Sequence, residues 1–189
     1  MLSSSSLHAA HLHPSSGAYV YYVVQSGEGV HVSKPVPVKS PLIFDPHRLE
    51  EVWRFFTIRL RHIGIYHVVF NVLTQLILGI PLELVHQWRT ILVYIGGIIS
   101  GSLYSRCSDP RVYLAGASGG VYALLAAHLA ELVNNELGEM EFAPVRAFIL
   151  FILIASDAGV AVYQRYFLSG EINKISYVSH IGGFVAGVL

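Results

Sequence analysis

Ser118 stands in the run Gly116-Ala117-Ser118-Gly119-Gly120, between glycines that allow a tight backbone turn and leave its hydroxyl uncovered. It opens an apolar stretch, so free N–H groups and the positive end of a helix dipole would lie beside it, suited to an oxyanion. Without context, a serine in such a stretch more commonly bonds a backbone carbonyl. His180 opens another apolar run and shares a helical face with Gly183 and Gly187, three and seven residues on. Alone, it is as readily a structural histidine bonded across helices. An ionisable residue on a small-residue packing face inside a membrane is, however, a functional candidate by default. Docking two glycine-faced helices would bring imidazole and hydroxyl within hydrogen-bond reach, the minimum requirement for acyl transfer. His67 and Asn71, four residues apart on one face, both donate hydrogen bonds. They form a candidate oxyanion hole, with interhelical bonding as the bland alternative. Asp157 completes a triad on paper, but nothing in the spacing aims it at His180. It is expected to be structural or to line a wet cavity, and the expected site is a dyad.

The elements that must position these residues are long apolar runs. The chain is 53% hydrophobic with a mean hydropathy of +0.55, and only 13% of its residues are charged. A soluble domain would carry about a quarter. The charges cluster in residues 45–61, 83–89, 106–111, 131–146 and 164–174, which reads as a polytopic membrane protein. Expected spans are Gly64–His86, Trp88–Tyr104, Val112–Val133, Val145–Tyr163 and a fifth from near Ile175 to Leu189. Gly116-x-x-x-Gly120 and Gly183-x-x-x-Gly187 provide grooves that let helix backbones approach closely in lipid. The predicted fold is therefore all-α, a polytopic transmembrane bundle with about five spans.

Residues 1–44, rich in Ser, His, Pro and Gly, are expected to be a polar, unordered segment facing water. Tyr19–Val24 is too short for a signal-peptide core or a span. Residues 45–61, with Trp53-Arg54-Phe55-Phe56 at their centre, suit the membrane interface, where aromatic rings lie at headgroup depth and arginine snorkels. Formal net charge is zero with no basic stripe, so nucleic acid is not an expected partner. The single cysteine, Cys107, excludes an intrachain disulfide and a thiolate zinc cage. Of ten histidines, four (His8, His11, His13, His31) are scattered through the polar segment, and no His-Glu-x-x-His pattern occurs. No metal or cofactor is expected.

Trp53-Arg54, His62, His67-Val-Val-Phe-Asn71, Gly79-Ile-Pro-Leu-Glu-Leu-Val-His86, Gly116-Ala-Ser118-Gly-Gly-Val-Tyr122 and His180-Ile-Gly-Gly183 occur in an order that resembles the rhomboid proteases. The likeness is greatest to the animal secretory-pathway branch, and it covers about residues 41–189. It implies a six- or seven-helix bundle around a wet cavity. It also implies Ser118 as nucleophile, His180 as base, Tyr122 packed on that imidazole, and the Ser118 N–H, His67 and Asn71 around the oxyanion. Gly116, Gly119 and Gly183 support the site. The chain departs from the family in lacking a first helix before Trp53 and in stopping within the helix of His180. Thr57-Ile-Arg-Leu-Arg61 is also more basic than that stretch usually is. A rhomboid domain over 45–189, shortened at both ends, is expected.

The implied function is intramembrane serine endopeptidase activity on single-span membrane proteins, such as growth-factor precursors, in Golgi, endosomal or plasma membranes. The alternative is an inactive rhomboid-like chain that binds client helices. A small transporter would explain polar residues within spans, but not their match to acyl-transfer roles.

Overall fold

The computed structural model describes residues 16–25, 27, 30, 40–62, 64–108, 110–111, 113–134, 142–167 and 177–189. Most of the polar N-terminal stretch, including its four histidines, lies outside the described residues. So does the start of the fifth expected span near Ile175.

The described elements are helical: α1 (16–25), α2 (Arg54–Thr57), a 3-10 turn (Ile58–Leu60), α3 (Gly64–His86), α4 (Trp88–Ser108), α5 (Ser118–Asn134), α6 (Ala143–Phe167) and α7 (Tyr177–Val188). Among the described residues the only β pairing is an isolated bridge between Phe44 and Leu114.

Helix α3 shows which solvent the fold is built for. It buries Asn71, Thr74 and Gln75 beside Val68 and Leu78, and exposes Val69, Leu73, Ile77, Ile80 and Leu84. Polar groups inside and a continuous aliphatic stripe outside would be unfavourable in water and are the stable arrangement in lipid. Among the described residues α3 alone is long and apolar enough, by length and composition, to cross a membrane, with a mean hydropathy of 1.9. Helix α6 repeats the pattern, turning Phe148, Phe151, Ile152 and Ile154 outward and burying Leu150.

Helices α4, α5 and α7 form the centre, and their contacts are made by backbone. A Cβ on Gly101 would stand 2.6 Å from the Ser179 carbonyl oxygen, and one on Gly182 would stand 2.7 Å from that of Ser100. Ser100 Oγ donates to the Gly182 carbonyl at 2.8 Å, pinning α4 to α7. On α5, a Cβ on Gly183 would fall 2.9 Å from the Gly119 Cα, and one on Gly187 would fall 2.7 Å from the Ala123 Cα. Without a hydrophobic drive between helices in lipid, this interdigitation of small residues holds them together.

Three expectations are corrected. The segment taken as unordered contains α1, whose Tyr19 and Val23, one turn apart, pack on Val68, Ile65 and Val72 of α3. The span expected from Val112 becomes helical only at Ser118, because Leu114 pairs with Phe44 and Gly116 takes a φ of +126°. Arg54 does not snorkel. It is 5% exposed, and donates to the carbonyls of Ser40 (3.1 Å) and Ile43 (2.9 Å) and to Glu51 (2.6 Å), while Trp53 and Phe56 stay exposed. A guanidinium has enough donors to staple a loop by its carbonyls, and here that use prevails over solvation.

Candidate active site

The loop around Arg54 is the foundation of the serine turn. Leu114 exchanges both backbone hydrogen bonds with Phe44 (3.1 and 3.3 Å), and the Gly116 N–H bonds the Ile58 carbonyl at 3.1 Å. The chain then turns at Gly116 with a φ that L side chains rarely adopt. Glycine is needed there for a second reason: a Cβ would meet His67 Cε1 at 2.7 Å and Nε2 at 3.0 Å. The imidazole of α3 is thus laid against the backbone two residues before Ser118.

Ser118 is the first residue of α5 and is partly exposed, while its neighbours Ala117, Gly119 and Gly120 are buried. The N–H groups of Gly120 and Val121 both bond the Ala117 carbonyl, at 3.0 and 3.2 Å. Alanine brings no side-chain cap for the N–H groups of Ser118 and Gly119, which lie at the positive end of the helix. Backbone donors beside a hydroxyl, uncapped by their own chain, are what an oxyanion requires.

His180 reaches this turn through the α5–α7 packing. Gly183 lies on Gly119 and Gly187 on Ala123, so the two helices run parallel with a fixed register. One turn before Gly183, His180 therefore stands opposite the Gly116–Ser118 turn. Its ring is 8% exposed and stacks on Tyr122, with centroids 4.3 Å apart and planes at 13°. Tyr122 lies one turn after Ser118 on the same face of α5.

The residue that spacing did not aim is the one that meets the imidazole. Asp157 Oδ2 lies 3.6 Å from His180 Nδ1, and the Tyr122 hydroxyl donates a hydrogen bond to the same carboxylate oxygen. A tertiary docking of α6 creates this contact. An acid within a predicted span was the sequence signal available for it.

His67 and Asn71 also face this side. Asn71 is 2% exposed and one of its amide protons goes to the His67 carbonyl at 2.8 Å, leaving the second proton available. Asn71 Oδ1, His67 Nδ1 and both ring nitrogens of His62 are buried and have no hydrogen-bond partner among the described residues. The His62 and His67 rings meet edge to face at 5.4 Å. Burial, with the neighbouring His67 second, lowers the His62 pKa to about 3, so this ring is neutral. Buried polar atoms without a partner among the described residues are uncommon and call for one from water or a bound group.

The structure therefore brings Gly116, Ser118, Gly119, Tyr122, His180 and Gly183 into one packed unit, with His67 against Gly116. The arrangement suits removal of a proton from Ser118 by His180 and stabilisation of negative charge beside the α5 N-terminus.

The chain is similar in sequence to known proteins. The family model described as Rhomboid domain matches residues 49–189. The chain is 47% identical over 171 residues to the Inactive rhomboid-related protein 2 of Caenorhabditis elegans, covering 90% of this chain and 49% of that protein. It is 40% identical over 174 residues to the Rhomboid-related protein 2 of Mus musculus, covering 90% and 57%. It is 28% identical over 145 residues to the Rhomboid-like protease 2 of Toxoplasma gondii, covering 74% and 47%. The chain spans about half the length of these relatives.

Proposed function

This chain belongs to the rhomboid family, and we propose that it is an intramembrane serine endopeptidase acting on single-span membrane proteins. The observation that carries the reading is the convergence on one turn of a glycine-flanked serine, a buried stacked histidine and unpartnered polar atoms.

In this reading His180 Nδ1 faces Asp157, which leaves Nε2 for the serine. Nε2 takes the Ser118 Oγ proton as Oγ bonds the peptide carbonyl carbon. The oxyanion is held by the Ser118 N–H, by His67 and by the spare Asn71 proton. The imidazolium then gives its proton to the leaving nitrogen as the C–N bond breaks. Water, activated by the same imidazole, hydrolyses the acyl-enzyme. A helical peptide bond hides its carbonyl carbon, so substrates are spans whose helix breaks near the membrane surface. Growth-factor precursors released by shedding are one such class. The chain works as a multi-pass protein of secretory-pathway membranes: Golgi, endosome or plasma membrane.

A second reading has its own support, because the relative 47% identical to this chain is named inactive. In that reading the bundle binds client helices without cutting them. Coexpression with a reporter whose single span is helix-destabilised separates the two. Release by this chain and not by Ser118→Ala supports the protease; reporter co-purifying uncut with a folded chain supports the binder.

A further inference from the structure

The geometry points to Asp157 as a positioning residue that holds His180 in the tautomer and orientation that serve Ser118, with Tyr122 as the clamp on both. This rests on the protease reading and adds a carboxylate to the expected dyad. Three contacts carry it. Asp157 Oδ2 lies 3.6 Å from His180 Nδ1, the Tyr122 hydroxyl donates to that same oxygen, and the Tyr122 ring stacks on the imidazole at 4.3 Å. The three groups come from three helices: α6, α5 and α7. Neither the ring plane nor the Nδ1 direction is then free to drift. Catalytic hydrogen bonds are commonly long in the resting state, and this one shortens as the ring takes up a proton.

A neutral imidazole carries one N–H. With a carboxylate at Nδ1 that proton belongs there, and Nε2 presents its lone pair to the hydroxyl. Were the proton on Nε2, the ring could not act as base towards Ser118. When the serine proton moves to Nε2, the resulting positive charge faces the Asp157 carboxylate. Asp157 itself takes no proton, and the Ser118 proton leaves with the amine. His67 of α3 is also in electrostatic reach of both His180 and Asp157. It stands on the far, oxyanion side, against Gly116.

The α4, α5 and α7 contacts are largely made of backbone and small residues, and the side chain that α5 does bring to the imidazole is Tyr122, not an acid. The acid comes from α6, which brings Asp157 to the ring.

The test compares the full chain with Asp157→Asn, Asp157→Glu and Tyr122→Phe in detergent or bilayers. Asp157→Asn keeps an acceptor for the Tyr122 hydroxyl and removes the charge. It is expected to lower kcat roughly 10- to 100-fold with KM within about twofold, less than the about 10⁴-fold seen for a fully buried triad. Asp157→Glu should recover part of the loss, and Tyr122→Phe should lower kcat less than Asp157→Asn. Histidine ¹⁵N spectra, which need no turnover, should show the Nδ1–H tautomer of His180 in the parent chain and its loss in Asp157→Asn. An unchanged kcat and tautomer in Asp157→Asn would overturn the proposal. So would a loss of rate matched by a fall in thermal midpoint with the tautomer intact. If Ser118→Ala retains the parent's activity, the protease reading itself fails, and the tautomer spectra still decide whether Asp157 positions the ring.

Discussion

Two carboxylates meet histidines at different levels of the α5 helix. Near its start, Asp157 and Tyr122 hold His180, and beside them His67, His62 and Asn71 keep buried atoms without partners among the described residues. About two and a half turns further on, Glu131 binds His86 through one oxygen. Its other oxygen lies 3.5 Å from Arg146 and 3.9 Å from His128, whose Nε2 donates to the Leu78 carbonyl at 2.8 Å. The residue types are nearly the same, and the degree of satisfaction is not. The Glu131 cluster joins α3, α5 and α6 with its charges matched, as a structural tie does. Near the serine at the helix N-terminus, by contrast, His62, His67 and Asn71 keep buried atoms with no hydrogen-bond partner among the described residues. Histidine and carboxylate together do not mark a reactive centre; unfilled donors and acceptors beside a nucleophile do.

The contrast is sharpest for His180→Ala. Removing the base should lower reporter cleavage on the order of 10⁴-fold, read as release per folded chain, whereas His128→Ala should leave turnover within about twofold. Asn71→Ala follows, with a loss of about 10²- to 10³-fold in kcat if its spare proton holds the oxyanion. An unchanged kcat would remove Asn71 from that role.

A third effect is on stability. The buried His62, whose ring nitrogens have no hydrogen-bond partner among the described residues, has its pKa lowered to about 3 by burial, with His67 contributing. In the unfolded chain it titrates near 6.5, so between those values the unfolded state binds more protons and stability falls as pH falls. From neutral pH to pH 5 this group alone costs about 2 kcal/mol. His62→Phe should therefore flatten the fall in thermal midpoint between pH 7 and pH 5; a fall identical to the parent's would contradict the assignment. The smallest effect is expected at the satisfied cluster. Glu131→Gln should cost about 1 kcal/mol, because its partners His86 and Arg146 are open to solvent, with kcat unchanged.

How far the sequence carries can be judged residue by residue. Helix α3 begins and ends where its apolar run does, at Gly64 and His86, and α4 starts at Trp88 after Gln87, which is left-handed. The packing of α7 on α5 follows from Gly183 and Gly187, since small residues four apart announce a close approach whatever the partner. The α1 helix was hidden because 16–25 is rich in Tyr and Val, residues that favour strands, and its helicity depends on Tyr19 and Val23 finding α3. Arg54 was read as an interfacial arginine because its partners are backbone carbonyls, which no side-chain pattern reveals. Asp157 escaped for a related reason. Its contact is set by where α6 docks, 23 residues of chain before His180, and no periodicity within α6 encodes that.

The most direct test of the central claim is covalent labelling of the folded, detergent-solubilised chain with a fluorophosphonate, mapped by mass spectrometry. The account predicts an adduct on Ser118, absent in Ser118→Ala and formed far more slowly in His180→Ala. A folded chain that is not modified at Ser118, or is modified equally fast without His180, would contradict it.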